Sequence, residues 1–248
     1  MKILLHGYAG RMGRSIVKLA GDRVAAGIDT RLVPADFPVY DNWENCTIKG
    51  DVILDFSIAQ AVSALLEYSV SVRLPAVLCT TGLTEKTLEE IKSAAQKIPI
   101  FQSYNMAVGV HITAALVKQI AKPLYDLDFD IEIVDFHHNQ KKDAPSGTAV
   151  LLANSVNANF DEKLKINTDR FDTIGKRAKD EIGLHSLRAG NMAGYHKVIF
   201  AGSEEIIEIT HTATDRDIFA KGALKAVEFI VKQEPGLYGM DDLIKSNP

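Results

Sequence analysis

Two cysteines and one tryptophan in 248 residues, and no apolar run near the ~18 residues needed to span a bilayer, exclude several classes of protein at once. Cys46 and Cys79 form no CxxC and sit in no Cys/His cluster, so no structural zinc or other metal site is expected. A chain of this size needs no disulfide staple, and a reducing compartment would keep both as thiols. Basic excess is also lacking: 28 Lys and Arg stand against 32 Asp and Glu, a net charge of -4, with no Lys/Arg cluster interleaved with aromatics. That balance argues against a nucleic-acid partner. The opening apolar run, from Ile3 to Leu5, is too short for a signal-peptide core and runs into a glycine turn, which points to a soluble, cytoplasmic protein without a membrane partner. Internal repeats and low-complexity segments are absent as well.

What is present is alternation. Short apolar runs and longer amphipathic stretches share the first hundred residues: strands over 3–6, 24–29, 52–56, 76–79 and 98–101, helices over 11–20, 59–69 and 85–95. This is the pattern of βαβ units in a Rossmann-like parallel sheet. From residue 128 the period changes to two, with Phe129, Ile131 and Ile133 alternating with Asp130, Glu132 and Val134. Strand-like runs return at 196–200 and 205–212, so the second domain reads as α+β, built on an open, antiparallel or mixed sheet. The crossover falls at Asn105-Met106-Ala107-Val108-Gly109, before a helix with Ile112, Ala115, Leu116 and Ile120 on one face. A long helix over 215–232, with Asp215 as its N-cap, returns to the first domain. The expected division is 1–104 with 216–248 for a dinucleotide-binding domain and 105–215 for a substrate-binding and oligomerisation domain. Residues 161–180 read as an exposed loop and those after Pro235 as irregular.

Gly7, Tyr8, Ala9, Gly10, Arg11, Met12 and Gly13 follow the first strand and open the first helix. Glycines there allow a tight turn and close approach of backbone N–H groups to a pyrophosphate, which a helix N-terminus favours. The spacing is GxxGxxG, weaker evidence alone than GxGxxG. Asp29, ending the second strand, can accept from ribose hydroxyls; its charge favours NADH, while Arg31 could pair with the 2′-phosphate of NADPH, so use of both is expected. Arg11 and Arg14 are either phosphate neighbours or solvated charges. Phe56-Ser57 and Cys79-Thr80-Thr81-Gly82 lie at the carboxyl edge of the sheet, where ligands of this fold collect. Cys79 as a nucleophile would need a thiolate and an adjacent base.

The densest chemistry follows the strand at 129–136. His137 can donate a proton near neutrality, Lys141 can bind or polarise an anion, and Ser146-Gly147-Thr148 opens a helix whose N–H groups suit a carboxylate. Singly, each reads as a buried or surface histidine, a solvated lysine and an ordinary helix cap. Their density in one segment describes a site for a small polyanionic acid that needs protonation.

The run His137-His138-x-x-Lys141-x-Asp143-Ala144-Pro145-Ser146-Gly147-Thr148-Ala149 resembles the signature of the dihydrodipicolinate reductase family. Agreement extends to Gly7–Gly13, 51–57, Thr80-Thr81-Gly82, 105–109, Arg188-Ala189-Gly190 with Gly194 and His196, 209–211 and 236–244. The resemblance implies hydride transfer from NADH or NADPH to a cyclic imine dicarboxylate, giving tetrahydrodipicolinate for diaminopimelate and lysine, by two domains that close over the reactants. It implies His137 as proton donor, Lys141 as second proton-donating or charge-stabilising group, and His138, Lys141, Ser146, Gly147 and Thr148 as carboxylate ligands. Cofactor residues implied are Gly7, Tyr8, Ala9, Gly10, Arg11, Met12, Gly13, Asp29, Cys79, Thr80, Thr81, Ser103, Tyr104, Asn105 and Met106, and the assembly implied is a homotetramer through the second domain. Cys79 replaces a family glycine and Thr30 a family arginine. Other readings are a related Rossmann reductase of aspartate-derived substrates, such as a semialdehyde dehydrogenase, and a non-catalytic NAD(H) sensor.

Overall fold

A computed structural model describes residues 1–170 and 175–246. In chain order the elements are β1 (Ile3–His6), α1 (Arg11–Ala20), β2 (Val24–Ile28), β3 (Val39–Tyr40), β4 (Val52–Asp55), α2 (Val62–Val72), β5 (Ala76–Leu78), α3 (Glu85–Ala95) and β6 (Pro99–Gln102). They continue with α4 (Val108–Asp126), β7 (Asp130–His137), α5 (Gly147–Asn157), β8 (Lys165–Asn167), β9 (Glu181–Arg188), β10 (Gly194–Ala201) and β11 (Ile206–Ala213). The chain ends with α6 (Asp217–Ile230), β12 (Gly236–Tyr238) and α7 (Met240–Lys245). Two compact units result, Met1–Val108 with Asp217–Pro248, and Gly109–Arg216.

The first unit carries a seven-stranded parallel sheet in the order β12-β6-β5-β4-β1-β2-β3. Parallel strands joined by helices are covered on both faces, which is why β1 and β4 are buried at every position. Successive side chains feed two different cores. Ile3, Leu5, Val52, Leu54 and Val77 pack with Ile16 of α1 and Ala223, Val227 and Ile230 of α6. Leu4, Ile53, Ala76, Leu78 and Ile100 face the other way, onto Leu65 of α2 and Ile91 of α3. Each fully buried Leu or Ile contributes about 1.5–3 kcal/mol relative to exposure. The stretch at Asp36-Phe37-Pro38 has a packing role: the Phe37 ring meets Tyr8 edge-on at 5.8 Å, and Pro38 O accepts from Gly27 N at 3.0 Å.

The second unit carries a mixed sheet, β11-β10-β7-β9-β8, with β10 antiparallel to both neighbours and β7, β9 and β8 parallel. Burial along β7 alternates strictly, as its period-two sequence requires. Its inner face, with Ile131, Ile133, Ile182, Leu184, Val198 and Phe200, packs under α4 and α5 through Ala114, Val117, Ala121, Leu152 and Val156.

Four expectations need correction. Helix α4 buries Val110, Thr113, Ala114, Val117 and Ala121, leaving Ile112 and Leu116 exposed, because its small residues and not its large ones approach the sheet. The segment after Pro235 is regular: β12 pairs in parallel with β6, and the Asp242 carboxylate caps α7 by accepting from Gly239 N at 2.9 Å. The expected loop at 161–180 contains β8, with 171–174 lying outside the described residues. Helix α6 spans Asp217–Ile230, shorter at both ends than the expected 215–232.

Candidate active site

Parallel pairing aligns the carboxyl ends of β1, β4, β5 and β6, with His6 beside Asp55, Asp55 beside Leu78 and Leu78 beside Gln102. The segments that follow β1, β2, β5 and β6 hold the cofactor candidates. Gly7 has φ 78°, and a Cβ there would stand 2.5 Å from Phe56 O. A Cβ on Gly13 would lie 2.3 Å from Gly7 O and 2.5 Å from Tyr8 O. The turn is therefore closed to side chains at both positions, leaving the backbone cradle at the start of α1 that a pyrophosphate needs. Asp29 closes on the same turn, accepting from Ala9 N at 3.2 Å and Arg31 N at 3.0 Å. Arg31 Nη2 and Arg14 Nε both donate to Ala9 O, at 2.9 and 3.2 Å, while Arg11 is exposed. Tyr8 is buried, and its hydroxyl donates to Val33 O and accepts from Val33 N. These residues fit a dinucleotide's adenosine and phosphate end.

Thr80 donates to the fully buried Asp55 carboxylate at 2.6 Å, and His6 Nδ1 lies 2.9 Å from the other oxygen. Neither Asp55 nor His6 was singled out from sequence. Cys79 is buried, and burial first, then the Asp55 charge, push its thiol well up. A nucleophilic thiolate there is disfavoured. Thr81 is exposed beside Gly82. Ser103, Asn105 and Met106 form a tight turn after β6, in which Ser103 Oγ donates to Asn105 O and Asn105 Oδ1 accepts from Ala107 N; Tyr104 projects outward, 54% exposed.

In the second unit, period-two geometry brings Asp135 and His137 of β7, Arg188 of β9, His196 of β10 and His211 of β11 to one end of the inner sheet face. Asp135 is fully buried. Its Oδ2 accepts from Ser146 N at 2.7 Å, its Oδ1 accepts from Arg188 Nη1 at 2.5 Å, and His137 Nδ1 lies 3.8 Å away, an ion-pair distance. Burial would raise this carboxyl, but His137, Arg188 and Ser146 outweigh it and hold it well below the usual carboxylate range. Arg188 continues to Asp143 O through Nη2 at 2.7 Å.

Ser146 is the N-cap of α5, its Oγ accepting from Ala149 N at 3.2 Å and lying 3.1 Å from His196 Nε2. Its polar atoms are thus engaged inside the unit, and the site presents instead the start of α5 at Gly147 and Thr148. The first N–H groups of a helix have no intrahelical acceptor, which makes such a turn an anion cradle. Burial, then the neighbouring His137, push His196 down to about 3, so it stays neutral; its ring meets His137 edge-on at 5.0 Å. His137 is 8% exposed.

The loop after β7 displays the remaining candidates. Lys141 Nζ pairs with Asp143 Oδ1 at 2.8 Å. His138 receives Gln140 N on Nδ1 and lies 2.7 Å from Arg216 Nη2 through Nε2. Desolvation and the Arg216 charge push it down. Asp135, His137 and His196 also offer ligand atoms within 4.8 Å of one another, a composition suited to a cation, but the Arg188 guanidinium already balances Asp135.

Family models described as dihydrodipicolinate reductase, N-terminus and C-terminus, match residues 1–106 and 109–244. The chain belongs to the dihydrodipicolinate reductase family. Among similar proteins, the 4-hydroxy-tetrahydrodipicolinate reductase of Caldanaerobacter subterraneus subsp. tengcongensis is 43% identical over 99% of this chain and 98% of that one. The protein of the same name from Clostridium novyi is 44% identical over 99% and 98%. A dipicolinate-bound dihydrodipicolinate reductase from Paenisporosarcina superposes with a TM-score of 0.82 at 23% identity, covering 98% of each chain, and so shares the fold. Like its family, this protein is an oxidoreductase.

Proposed function

We propose that the protein reduces 4-hydroxy-tetrahydrodipicolinate to tetrahydrodipicolinate, on the diaminopimelate route to lysine, with NADH or NADPH. One observation carries the reading: an ionised, buried Asp135 beside His137, next to a helix start flanked by Lys141 and His138, in a chain 43% identical to a reductase of that name. The substrate is a cyclic dicarboxylate. Gly7 to Gly13 with Asp29 hold the nucleotide, and Cys79, Thr80, Thr81 and Ser103 to Met106 line its nicotinamide end. The bound cofactor supplies the hydride.

His138, Lys141, Gly147 and Thr148 bind the two carboxylates, with Ser146 fixing the turn, and Arg216 adds a further cation. These positive groups offset charge that develops on the ring during reduction. His137 delivers the proton, with Lys141 stabilising charge beside it. In balance, the ring gains a hydride and a proton and loses water, and the cofactor is oxidised. Following nicotinamide absorbance with freshly made substrate, using each cofactor in turn, tests the reading; no oxidation with either cofactor overturns it.

The same reading includes a cytoplasmic homotetramer assembled through the second unit. Its support is the sheet face opposite α4 and α5, where Leu187 is 52% and Ile206 64% exposed beside half-buried Val134 and Ile199. A monomer by light scattering would count against it. No helix among the described residues is long and apolar enough to cross a membrane.

A further inference from the structure

We infer that Asp135 is a positioning residue that joins the proton donor to the carboxylate cradle, one buried carboxylate bonded to the start of α5 and set against His137 Nδ1. The inference rests on the reading of His137 as proton donor and of the Gly147–Thr148 turn as carboxylate ligand. Three elements converge on this side chain: Arg188 from β9, Ser146 N from the turn before α5, and His137 from its own strand two residues on. An isolated buried carboxylate is strongly disfavoured, so these partners are what allow it to remain an anion with no exposed surface.

The geometry couples two tasks. Ser146 N is tied to Asp135 Oδ2, and Ser146 Oγ caps α5, so the carboxylate sets the direction in which the first helical N–H groups point. The other oxygen faces His137 Nδ1 at 3.8 Å, which sets an anion against that edge of the ring. The charged and titratable groups around His137 are Asp135, the loop residues His138 and Lys141, Arg188 on β9, His196 on β10 and His211 on β11, with Asp143 and Arg216 behind them. Only Asp135 among the groups closest to the ring is negative, and Arg188 opposes it. Removing the carboxylate or the guanidinium therefore changes the charge beside the ring in opposite senses, which a residue holding the fold alone would not do.

The test is the pH profile of kcat/KM in the full-length protein with fresh substrate. In Asp135→Asn the high-pH limb shifts down by about one pH unit or more, the scale of a lost opposite charge, and KM for substrate rises while KM for cofactor holds. Arg188→Gln shifts that limb up, and Asp135→Glu, which keeps the charge, returns it toward the parent position. Should Asp135→Asn not fold, Arg188→Gln decides: a limb that stays or falls overturns the proposal. His137→Ala separates the two readings. A limb that survives in His137→Ala overturns the donor assignment and this proposal with it. A limb that vanishes in His137→Ala yet stays in place in Asp135→Asn overturns the proposal alone.

Discussion

Ser146 Oγ and His196 Nε2 stand 3.1 Å apart within the second unit, both residues nearly closed to solvent. Burial holds this imidazole neutral, down to about 3 against an ordinary 6.5. A histidine lowered on folding binds its proton more readily in the unfolded chain, so stability is fully present above about 6.5 and is lost as pH falls toward 3. One such group contributes a slope of about 1.4 kcal/mol per pH unit across that window. Urea unfolding at several pH values should show His196→Gln with a shallower slope between these limits than the parent. Identical slopes would mean that the ring does not carry this cost.

His137→Ala and Lys141→Ala are each expected to lower turnover by about 10² or more, the scale of a lost general acid or its charge partner. The fold should tolerate both, since Lys141 lies in a surface loop and His137 packs at the end of a strand rather than at its middle. Steady-state kinetics with both cofactors reads the outcome. Near-parental kinetics in both variants would remove the two from the reaction.

Strands whose burial their own sequence dictates were legible: β1 and β4 each open with three apolar residues, and β7 alternates in the pattern its burial follows. Strand β9 was not, because Glu181-Ile182-Gly183-Leu184-His185-Ser186 has no clean period; its place is fixed by parallel pairing to β7. The same holds for β12, three residues long and held by β6. At the site, His137, Lys141 and Ser146 to Thr148 stand in one short segment, so their grouping was legible. Arg188 and Arg216 reach it from later elements, a contact that only tertiary structure makes. Asp135 had a usable signal: two residues before His137 on a strand, it must share that residue's face.

Gly13→Ala should weaken cofactor binding while leaving the second unit folded. The added Cβ would meet two carbonyl oxygens, Gly7 O at 2.3 Å and Tyr8 O at 2.5 Å, and backbone cannot yield as a flexible side chain can. Relief would open the turn proposed to face the pyrophosphate. Titration of bound NADH by fluorescence should show at least a tenfold loss of affinity, about 1.4 kcal/mol. Unchanged affinity would place the nucleotide elsewhere.

Arg31 offers the sharpest test of cofactor use. Its backbone N–H and the Ala9 N–H together orient the Asp29 carboxylate, and its guanidinium reaches back to Ala9 O at 2.9 Å, beside the acid that would meet the ribose. Asp29 repels a 2′-phosphate, and Arg31 offsets that repulsion with a charge able to pair with it. Arg31→Ala keeps the backbone donor and deletes only the guanidinium. KM for NADPH should then rise by tenfold or more, the scale of a charge-assisted hydrogen bond, while KM for NADH changes much less. Asp29→Asn should act in the opposite sense, weakening NADH and favouring NADPH. Equal changes for both cofactors in Arg31→Ala would show that the guanidinium serves the turn and not the phosphate.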